Sequence, residues 1–470
     1  MNRRIQLFKY LLADYISASV AWAIFYIYRK LYIEADLYGT PTFVLENKFY
    51  LGIALIPIFW CLLYYASGYY KEVIRKSRLS ELFYTVRISV LGVIILFFSV
   101  VLDDTIGSYS NYYDSFSVLL CLQFSITYFF RLLITTHATR RIHRGDFGFN
   151  TLILGGNEKA VAIYDEIKSQ SYSTGNIIIG FVGVNGSSSN LLSNSLPLLG
   201  GLQDLKNIIE QNNIEEVIIA IEYSDHDKIE KILNILIDSN VIVKTIPGMY
   251  EIFTGKVKMS AILGTPLIEI SHQLMPAWQE NLKYFMDIVL SLIALLISLP
   301  LIIFLMVGVK ISSKGPIFYR QERIGKNGKP FTIYKFRSMF VNSESNGPEL
   351  SSKQDSRVTK FGRFMRKSRL DEIPNFINVL KGDMSLVGPR PERQYFIDKI
   401  SDIDPRYIQL LKVRPGITSW GQVKYGYAEN VDQMLRRMKY DLIYLENMSI
   451  YVDLKILIYT VQIVLKRKGV

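Results

Sequence analysis

Hydrophobic and polar positions follow three different rhythms along the chain. Through the first third, four nearly unbroken apolar runs occupy about residues 6 to 28, 49 to 70, 82 to 102 and 115 to 136. Each approaches the ~20 residues that a helix needs to cross a hydrocarbon core. A four-span transmembrane bundle over residues 1–145 is predicted. The first run, from Leu7 to Tyr28, is longer than a signal-peptide core and has no small-residue cleavage pattern after it, so it reads as a retained helix. Basic residues collect at Arg3 and Arg4, at Lys71, Arg75, Lys76 and Arg78, and at Arg140, Arg141 and Arg144, whereas the connection around Asp103, Asp104 and Asp114 has no Lys or Arg. Although Arg29 and Lys30 run against this trend, the bias puts both ends of the bundle in the cytosol.

From residue 146 to 270 the rhythm shortens. TLILGG (151 to 156), NIIIGFVGV (176 to 184), EEVIIAIE (215 to 222) and VIVKTIP (241 to 247) read as strands, and residues 158 to 169, 202 to 212 and 226 to 238 as helices. This alternation predicts a parallel-sheet, Rossmann-like α/β domain, with NGSSSNLLSNS (185 to 195) as a surface loop. Gly155 and Gly156 stand where a dinucleotide fingerprint begins, but the third glycine of GxGxxG is missing. Two readings stay open: a weak cofactor site at these glycines, or a degenerate nucleotide-binding fold. Tyr164 and Lys168 have YxxxK spacing but lie on the first helix, too early for a dehydrogenase pair, and are read as a coincidence.

A third apolar run, from about residue 284 to 311, is broken by Pro300 and flanked by Lys283, Lys310 and Lys314. Proline removes a helix hydrogen bond and bends the axis. Basic flanks on both sides favour a re-entrant helix that enters and leaves one leaflet over an ordinary kinked span. Beyond it, GPIFYRQERIGKNGKPFTIYKFRSM (315 to 339) reads as a hairpin about a Lys326-Asn327-Gly328-Lys329 turn. RVTKFGRFMRKS (357 to 368) reads as a short amphipathic helix with Val358, Phe361 and Met365 on one face.

Composition narrows the function. Hydrophobic residues make up 50%, mean hydropathy is +0.19 and the formal charge is +12. So much apolar sequence argues against nucleic acid as the partner of that charge and for a membrane protein with basic cytosolic parts. Cys61 and Cys121 both lie in apolar runs, without CxxC or Cys/His spacing, which excludes a disulfide framework or structural zinc.

The stretch RLDEIPNFINVLKGDMSLVGPRP (369 to 391) carries the chemistry. Ser368 precedes Asp371 by three residues and Pro374 suits a first helical turn, so Asp371 and Glu372 are expected at a helix N-terminus, where Asp371 stays ionised and phosphate oxygens can bind. Two carboxylates beside a phosphate need cations. Arg366, Arg369 and Arg390 supply some, and Mg²⁺ held by a carboxylate together with phosphate oxygens supplies the rest, implying a pyrophosphate-bearing substrate. Helix capping without chemistry is the alternative on spacing alone.

These same stretches, with VRPGITSWGQV and YDLIYLENMSIYVDLKILIYT, resemble the bacterial sugar transferase domain of monotopic phosphoglycosyl transferases over about residues 275 to 470. The long motifs are specific, with Asn375 replacing the commoner Gln. The four spans and the Rossmann-like domain are similar to the large members that initiate exopolysaccharide, capsule or O-antigen synthesis. The resemblance implies a membrane α-helical bundle, an α/β Rossmann-like cytosolic domain and a small α/β monotopic catalytic domain (271–470) with a re-entrant membrane helix, in the bacterial inner membrane. It implies that Asp371 attacks the sugar-bearing phosphorus of a UDP-sugar, glucose or galactose being expected, that UMP leaves, and that polyprenyl (undecaprenyl) phosphate takes the phosphosugar. Glu372 carries over as the Mg²⁺ ligand, Arg390 as a phosphate binder and Pro300 as the helix break. Lys335, Arg337, Arg366, Arg323 and Arg357 are further candidate phosphate-binding or interfacial residues. Asp383 is expected to order its loop, and Arg414, Pro415 and Gly416 to form a rigid turn. His137, His143, His226 and His272 fall outside this constellation. Pairing with a second copy stays open. The rival class is an inactive membrane assembly or regulatory protein that senses a nucleotide through the Rossmann-like domain.

Overall fold

The computed structural model describes residues 3–33, 46–101, 109–170, 173–184, 191–221, 226–236, 239, 241–246, 267–270, 274–341, 355–426 and 428–465. His272 and part of the predicted 185 to 195 loop lie outside the described residues. The chain divides into two compact units, Met1–Ser271 and His272–Val470.

In the first unit the apolar runs form α1 (Arg3–Ile33), α2 (Asn47–Ala66), α3 (Arg78–Val100) and α4 (Tyr109–His143), each long and apolar enough to cross a membrane. Apolar side chains including Trp22, Phe25, Trp60 and Val93 fill the bundle centre. Inside it lies a polar network that the hydropathy pattern hides. The Arg131 guanidinium of α4 donates to both Asp14 oxygens of α1, at 2.7 and 3.0 Å, and to Thr85 of α3. It also stacks on Tyr64 and Tyr69. Neither side chain of the Asp14–Arg131 pair is exposed. A charge in an apolar bundle persists only when paired in this way.

The α/β part has a six-stranded sheet in the order β3-β2-β1-β4-β5-β6. Its strands are β1 (Phe149–Leu154), β2 (Asn176–Gly183), β3 (Leu198–Gly201), β4 (Glu216–Ile219), β5 (Ile242–Thr245) and β6 (Ile268–Ile270). All pairings are parallel except β5 with β6. Strands buried on both faces need uninterrupted apolar residues. Leu152, Val182, Val217 and Val243 serve one apolar cluster, while Ile153, Phe181 and Ile218 serve another. The helices α5 (Glu158–Ser169), α6 (Leu205–Gln211) and α7 (His226–Leu236) fall where predicted, but β3 and β6 add two strands that the periodicity did not show. Both are four residues or shorter, too few to display alternation.

The second unit begins with α8 (Ala277–Ser312), whose halves Ala277–Ile297 and Leu299–Ser312 meet at 64°. Pro300 cannot donate to Leu296, and the Ser298 hydroxyl donates to the Ala294 carbonyl at 2.6 Å, so the bend centres just before the proline. Then come the antiparallel hairpin β7 (Phe318–Ile324) and β8 (Pro330–Phe336), α9 (Lys360–Lys367), α10 (Asn375–Lys381), β9 (Ser385–Val387), α11 (Gln394–Ile403), β10 (Gly416–Thr418), α12 (Trp420–Lys424), α13 (Val431–Glu446) and α14 (Ile450–Leu465). The predicted hairpin turn is present, with Asn327 and Gly328 at positive φ. On α9, Met365 is fully buried and Phe361 packs against Phe304 of α8 as the amphipathic pattern required, but the helix starts at Lys360, so Val358 lies before it and forms a β-bridge with Met339.

Candidate active site

Asp371 and Glu372 lie in a short 3₁₀ turn, Leu370–Glu372, between α9 and α10. The expected capping by Ser368 is not what forms. Ser368 closes α9, its hydroxyl donating to the Phe364 carbonyl at 2.8 Å, and Arg369 follows at φ 54. This left-handed residue reverses the chain, so the carboxylates precede α10 rather than open it. Pro374 does stand immediately before Asn375, where its missing N–H is harmless. Buried Asn378 ties α10 to the hairpin: its side chain accepts from Tyr334 N at 3.1 Å and donates to Thr332 O at 2.7 Å. That tie brings Lys335 of β8 to the dyad.

The dyad opens into a cleft of about 980 Å³ lined by the hairpin, the 3₁₀ turn, Arg390, Glu392 and Arg393, and α13. Lys335 Nζ lies 2.7 Å from Glu372 Oε1, and Arg390 and Arg369 each reach a Glu372 oxygen at 3.9 Å. Burial pushes the Glu372 carboxyl up, but Lys335, Arg369 and Arg390 outweigh it and hold the group well below the ordinary glutamate range. Asp371, 9% exposed, goes the other way. Burial and the Glu372 charge raise it, against the opposing pull of Lys335 and Arg366. The expectation that a helix terminus keeps Asp371 ionised meets an opposing push: burial and the Glu372 charge favour the protonated form, and Lys335 and Arg366 only partly offset them.

Of the predicted residues, Arg323, Lys335, Arg337, Arg366, Arg369, Asp371, Glu372 and Arg390 all line this cleft. Arg366 donates to Ser338 Oγ at 2.8 Å, and Arg337 binds the Ser313 and Lys314 carbonyls at the end of α8. Arg357 and Asp383 are not among the lining residues. Arg357 forms a two-pronged pair with Asp355, and Asp383 accepts from Asn378 behind α10. Asp383 also donates its N–H to the Asn378 carbonyl, the local ordering expected of it. Pro300 stands just past the α8 bend. In the first unit, Gly155 has φ 124, and a Cβ there would lie 2.6 Å from the Ala220 carbonyl. Leu191 N donates to Gly156 O and Leu192 is buried in the apolar cluster around Ala160, so these glycines serve tight packing of the β1–α5 turn. Lys168 lies over the Tyr164 ring on α5, an ordinary surface contact.

Sequence reasoning missed Glu392 and Arg437. Glu392 is buried and accepts from Arg437 at 2.6 Å and from Arg323 at 3.2 Å. The only local signal was an acidic residue directly after Gly-Pro-Arg-Pro, and Arg437 lies 45 residues further along. Strand β9, which leads to Arg390, is held by α8: Asp287 accepts from Leu386 N, and Lys283 donates to Val387 O and to Asp453. A metal site of several carboxylates is not built here, since no group of three His, Cys, Asp or Glu gathers among the described residues. The donor set, one or two carboxylates in a cationic cleft, suits Mg²⁺ that takes its other oxygens from a phosphate ligand and water.

The site is thus a buried carboxylate pair ringed by cations, beside a bent apolar helix. The model of the bacterial sugar transferase family matches residues 278–467, and that of a CoA-binding domain matches residues 65–247. The chain is 33% identical over 361 residues to an undecaprenyl-phosphate galactose phosphotransferase of Salmonella typhimurium, covering 73% of this chain and 72% of that one. It is 39% identical over 231 residues to a UDP-N-acetylgalactosamine-undecaprenyl-phosphate N-acetylgalactosaminephosphotransferase of Aeromonas hydrophila, covering 49% and 54%. It is 34% identical over 264 residues to a UDP-glucose:undecaprenyl-phosphate glucose-1-phosphate transferase of Escherichia coli, covering 56% and 57%. The matched region thus spans little more than half the length of the last two relatives. The chain belongs to the bacterial sugar transferase family.

Proposed function

We propose that this protein transfers a sugar-1-phosphate from a UDP-sugar to undecaprenyl phosphate through an acyl phosphate that carries the sugar on Asp371, as the first membrane step of exopolysaccharide, capsule or O-antigen synthesis. The observation that carries the reading is the dyad itself, two adjacent carboxylates on one 3₁₀ turn at the cleft wall, with Lys335 2.7 Å from Glu372 and Arg369 and Arg390 each 3.9 Å from it. An Asp371 oxygen attacks the phosphorus bonded to the sugar, the bond to the uridine-bearing phosphate breaks, and UMP leaves. An undecaprenyl phosphate oxygen then attacks the same phosphorus, the bond from Asp371 oxygen to phosphorus breaks, and the aspartate carboxylate is restored. Splitting one displacement in two lets a single cation-lined cleft serve both.

Glu372, with the phosphate oxygens, would hold Mg²⁺, which supplies charge neutralisation. Lys335 fixes the Glu372 carboxylate, while Arg366, Arg369 and Arg390 offer donors to phosphate. Lys335, Arg366 and Arg369 also compensate the charge that two carboxylates and a diphosphate bring together. The 64° bend at Pro300 and the basic residues at both ends of α8 support a re-entrant helix that keeps the cleft on the cytosolic face of the inner membrane. The four apolar helices support multi-pass insertion, and the sheet order supports a Rossmann-like domain whose glycine turn is packed rather than open. The sugar is open: the relatives named above carry glucose, galactose and N-acetylgalactosamine in their names.

The test is a UDP-sugar panel with the full chain in membranes that contain undecaprenyl phosphate, scored by UMP release, with mass mapping of the trapped protein. A phosphosugar on Asp371, absent from Asp371→Asn, is expected. Product formation without modification at that residue refutes the covalent route. UMP release no higher than the Asp371→Asn level would favour the assembly or regulatory alternative.

A further inference from the structure

Beyond the dyad, the cleft carries cations that the attack at Asp371 leaves unexplained. Arg323 of β7, Arg390 and Arg437 of α13 converge on Glu392. One Glu392 oxygen accepts from Arg437 at 2.6 Å and stands 3.9 Å from Arg390, and the other accepts from Arg323 at 3.2 Å. Arg323 also donates to the Pro391 carbonyl, and Ile324 N donates to the Glu392 carbonyl, so the carboxylate is docked on β7 through main chain as well. Three guanidinium groups around one carboxylate leave a positive surplus at the cleft wall. Burial and repulsion from Arg390 and Arg393 depress Arg323, outweighing the help of Glu392. An anion in the cleft relieves that repulsion. Arg390 stands 3.9 Å from Glu372 and from Glu392, shared between the dyad and this cluster.

An ionic anchor is a poor way merely to join three elements, because desolvating it costs about as much as the attraction returns and apolar packing does the same job. Three fork-shaped donors held at fixed angles are, however, what a phosphate group needs. We infer that Glu392 is a positioning residue that aims Arg323, Arg390 and Arg437 into the cleft as a second anion subsite, taking the nucleotide phosphate that Asp371 does not attack. This assignment rests on the sugar-1-phosphate transfer reading.

Inorganic pyrophosphate binding to the full chain in lipid nanodiscs tests the subsite without requiring turnover, and steady-state UMP release tests its use. Glu392→Asp keeps the charge but retracts the anchor by one methylene, while Glu392→Gln keeps the shape and removes the charge. Both are expected to weaken pyrophosphate about tenfold, roughly the loss of one charge-assisted hydrogen bond, and to raise KM for the UDP-sugar similarly with kcat within about twofold. Arg437→Lys, which leaves Glu392 intact, is expected to do the same and stands in if the Glu392 variants fold poorly. If charge alone mattered, Glu392→Gln would bind pyrophosphate more tightly and Glu392→Asp would match the wild type, overturning the assignment. A fall in kcat with unchanged KM and pyrophosphate affinity, the mark of less folded protein, overturns it as well. Weakened pyrophosphate binding in protein whose wild-type form releases no UMP leaves the subsite standing and sinks the transfer reading instead.

Discussion

Replacing Lys335 with methionine isolates the electrostatics of the dyad. Methionine keeps most of the stem and removes an ammonium 2.7 Å from Glu372 Oε1, in a pair whose side chains are 18% and 13% exposed. Coulomb attraction at that separation is about 6 kcal/mol at an effective dielectric of about 20 and about 1.5 kcal/mol in water. The smaller figure already corresponds to about one pH unit of protonation equilibrium. Lys335 is also the strongest cation opposing the upward push of burial and Glu372 on Asp371, so its loss raises both carboxyls. In the proposed transfer, attack needs ionised Asp371. The acid limb of kcat/KM for UMP release is therefore expected to move upward, with a larger loss near pH 6 than near pH 8. The stability consequence has a definite sign. In the wild type the Glu372 carboxyl is depressed on folding, so it contributes stability above the ordinary glutamate range that is lost as pH falls below about 4. In Lys335→Met that contribution shrinks, because Glu372 keeps only Arg369 and Arg390 at 3.9 Å, and the loss of about 1.5 to 3 kcal/mol at neutral pH is relieved as the carboxylate protonates on acidification. Thermal unfolding in detergent across the pH range, beside pH–rate profiles, checks both parts. A stability gap independent of pH, or an acid limb that stays in place, refutes the reasoning.

Three further outcomes follow from other parts of the molecule. Asp441, buried beside Arg437 and accepting from Gly421 N at 2.8 Å, is pushed up to about 6 chiefly by burial. Its share of stability therefore falls as pH rises from about 4 to about 6 and stays flat above, and Asp441→Asn should remove that slope in unfolding scans. Gly362→Ala places a Cβ 2.0 Å from the Ser338 carbonyl, a backbone atom that cannot swing away, so a loss of about 1 to 3 kcal/mol is expected in denaturant titrations. Arg131→Met leaves Asp14 buried without its two-pronged partner and should lower bundle stability by about 3 to 5 kcal/mol, with recovery in the double variant that also carries Asp14→Leu. A single Arg131 variant as stable as the wild type would show that the pair contributes nothing.

Much of the architecture is legible in residue order because it rests on local pattern. Runs of apolar residues gave four helices long enough to span, Asn327-Gly328 gave the hairpin turn, and Pro300 gave a bend two residues from its own position. The adjacent carboxylates with Arg366, Arg369 and Arg390 marked the cleft. Where the reading went astray, the deciding feature was the backbone path or a near neighbour that charge and spacing do not specify. Ser368 had the right spacing to cap the carboxylates, but the left-handed turn at Arg369 gave it to the preceding helix. Arg357 had the right charge and motif, yet Asp355 two residues earlier takes its guanidinium.

Residue order by itself thus determined which segments are apolar enough to leave water, which turns are sterically preferred and which residues bring charge, all properties of a few neighbouring side chains. Tertiary structure alone decided which charges meet: Asp14 with Arg131 across 117 residues, Lys335 with Glu372 across 37, Glu392 with Arg437 across 45. A buried carboxylate's proton affinity depends on the desolvation it suffers and on the cations a few ångströms away, and both are set by packing between elements that no local period encodes.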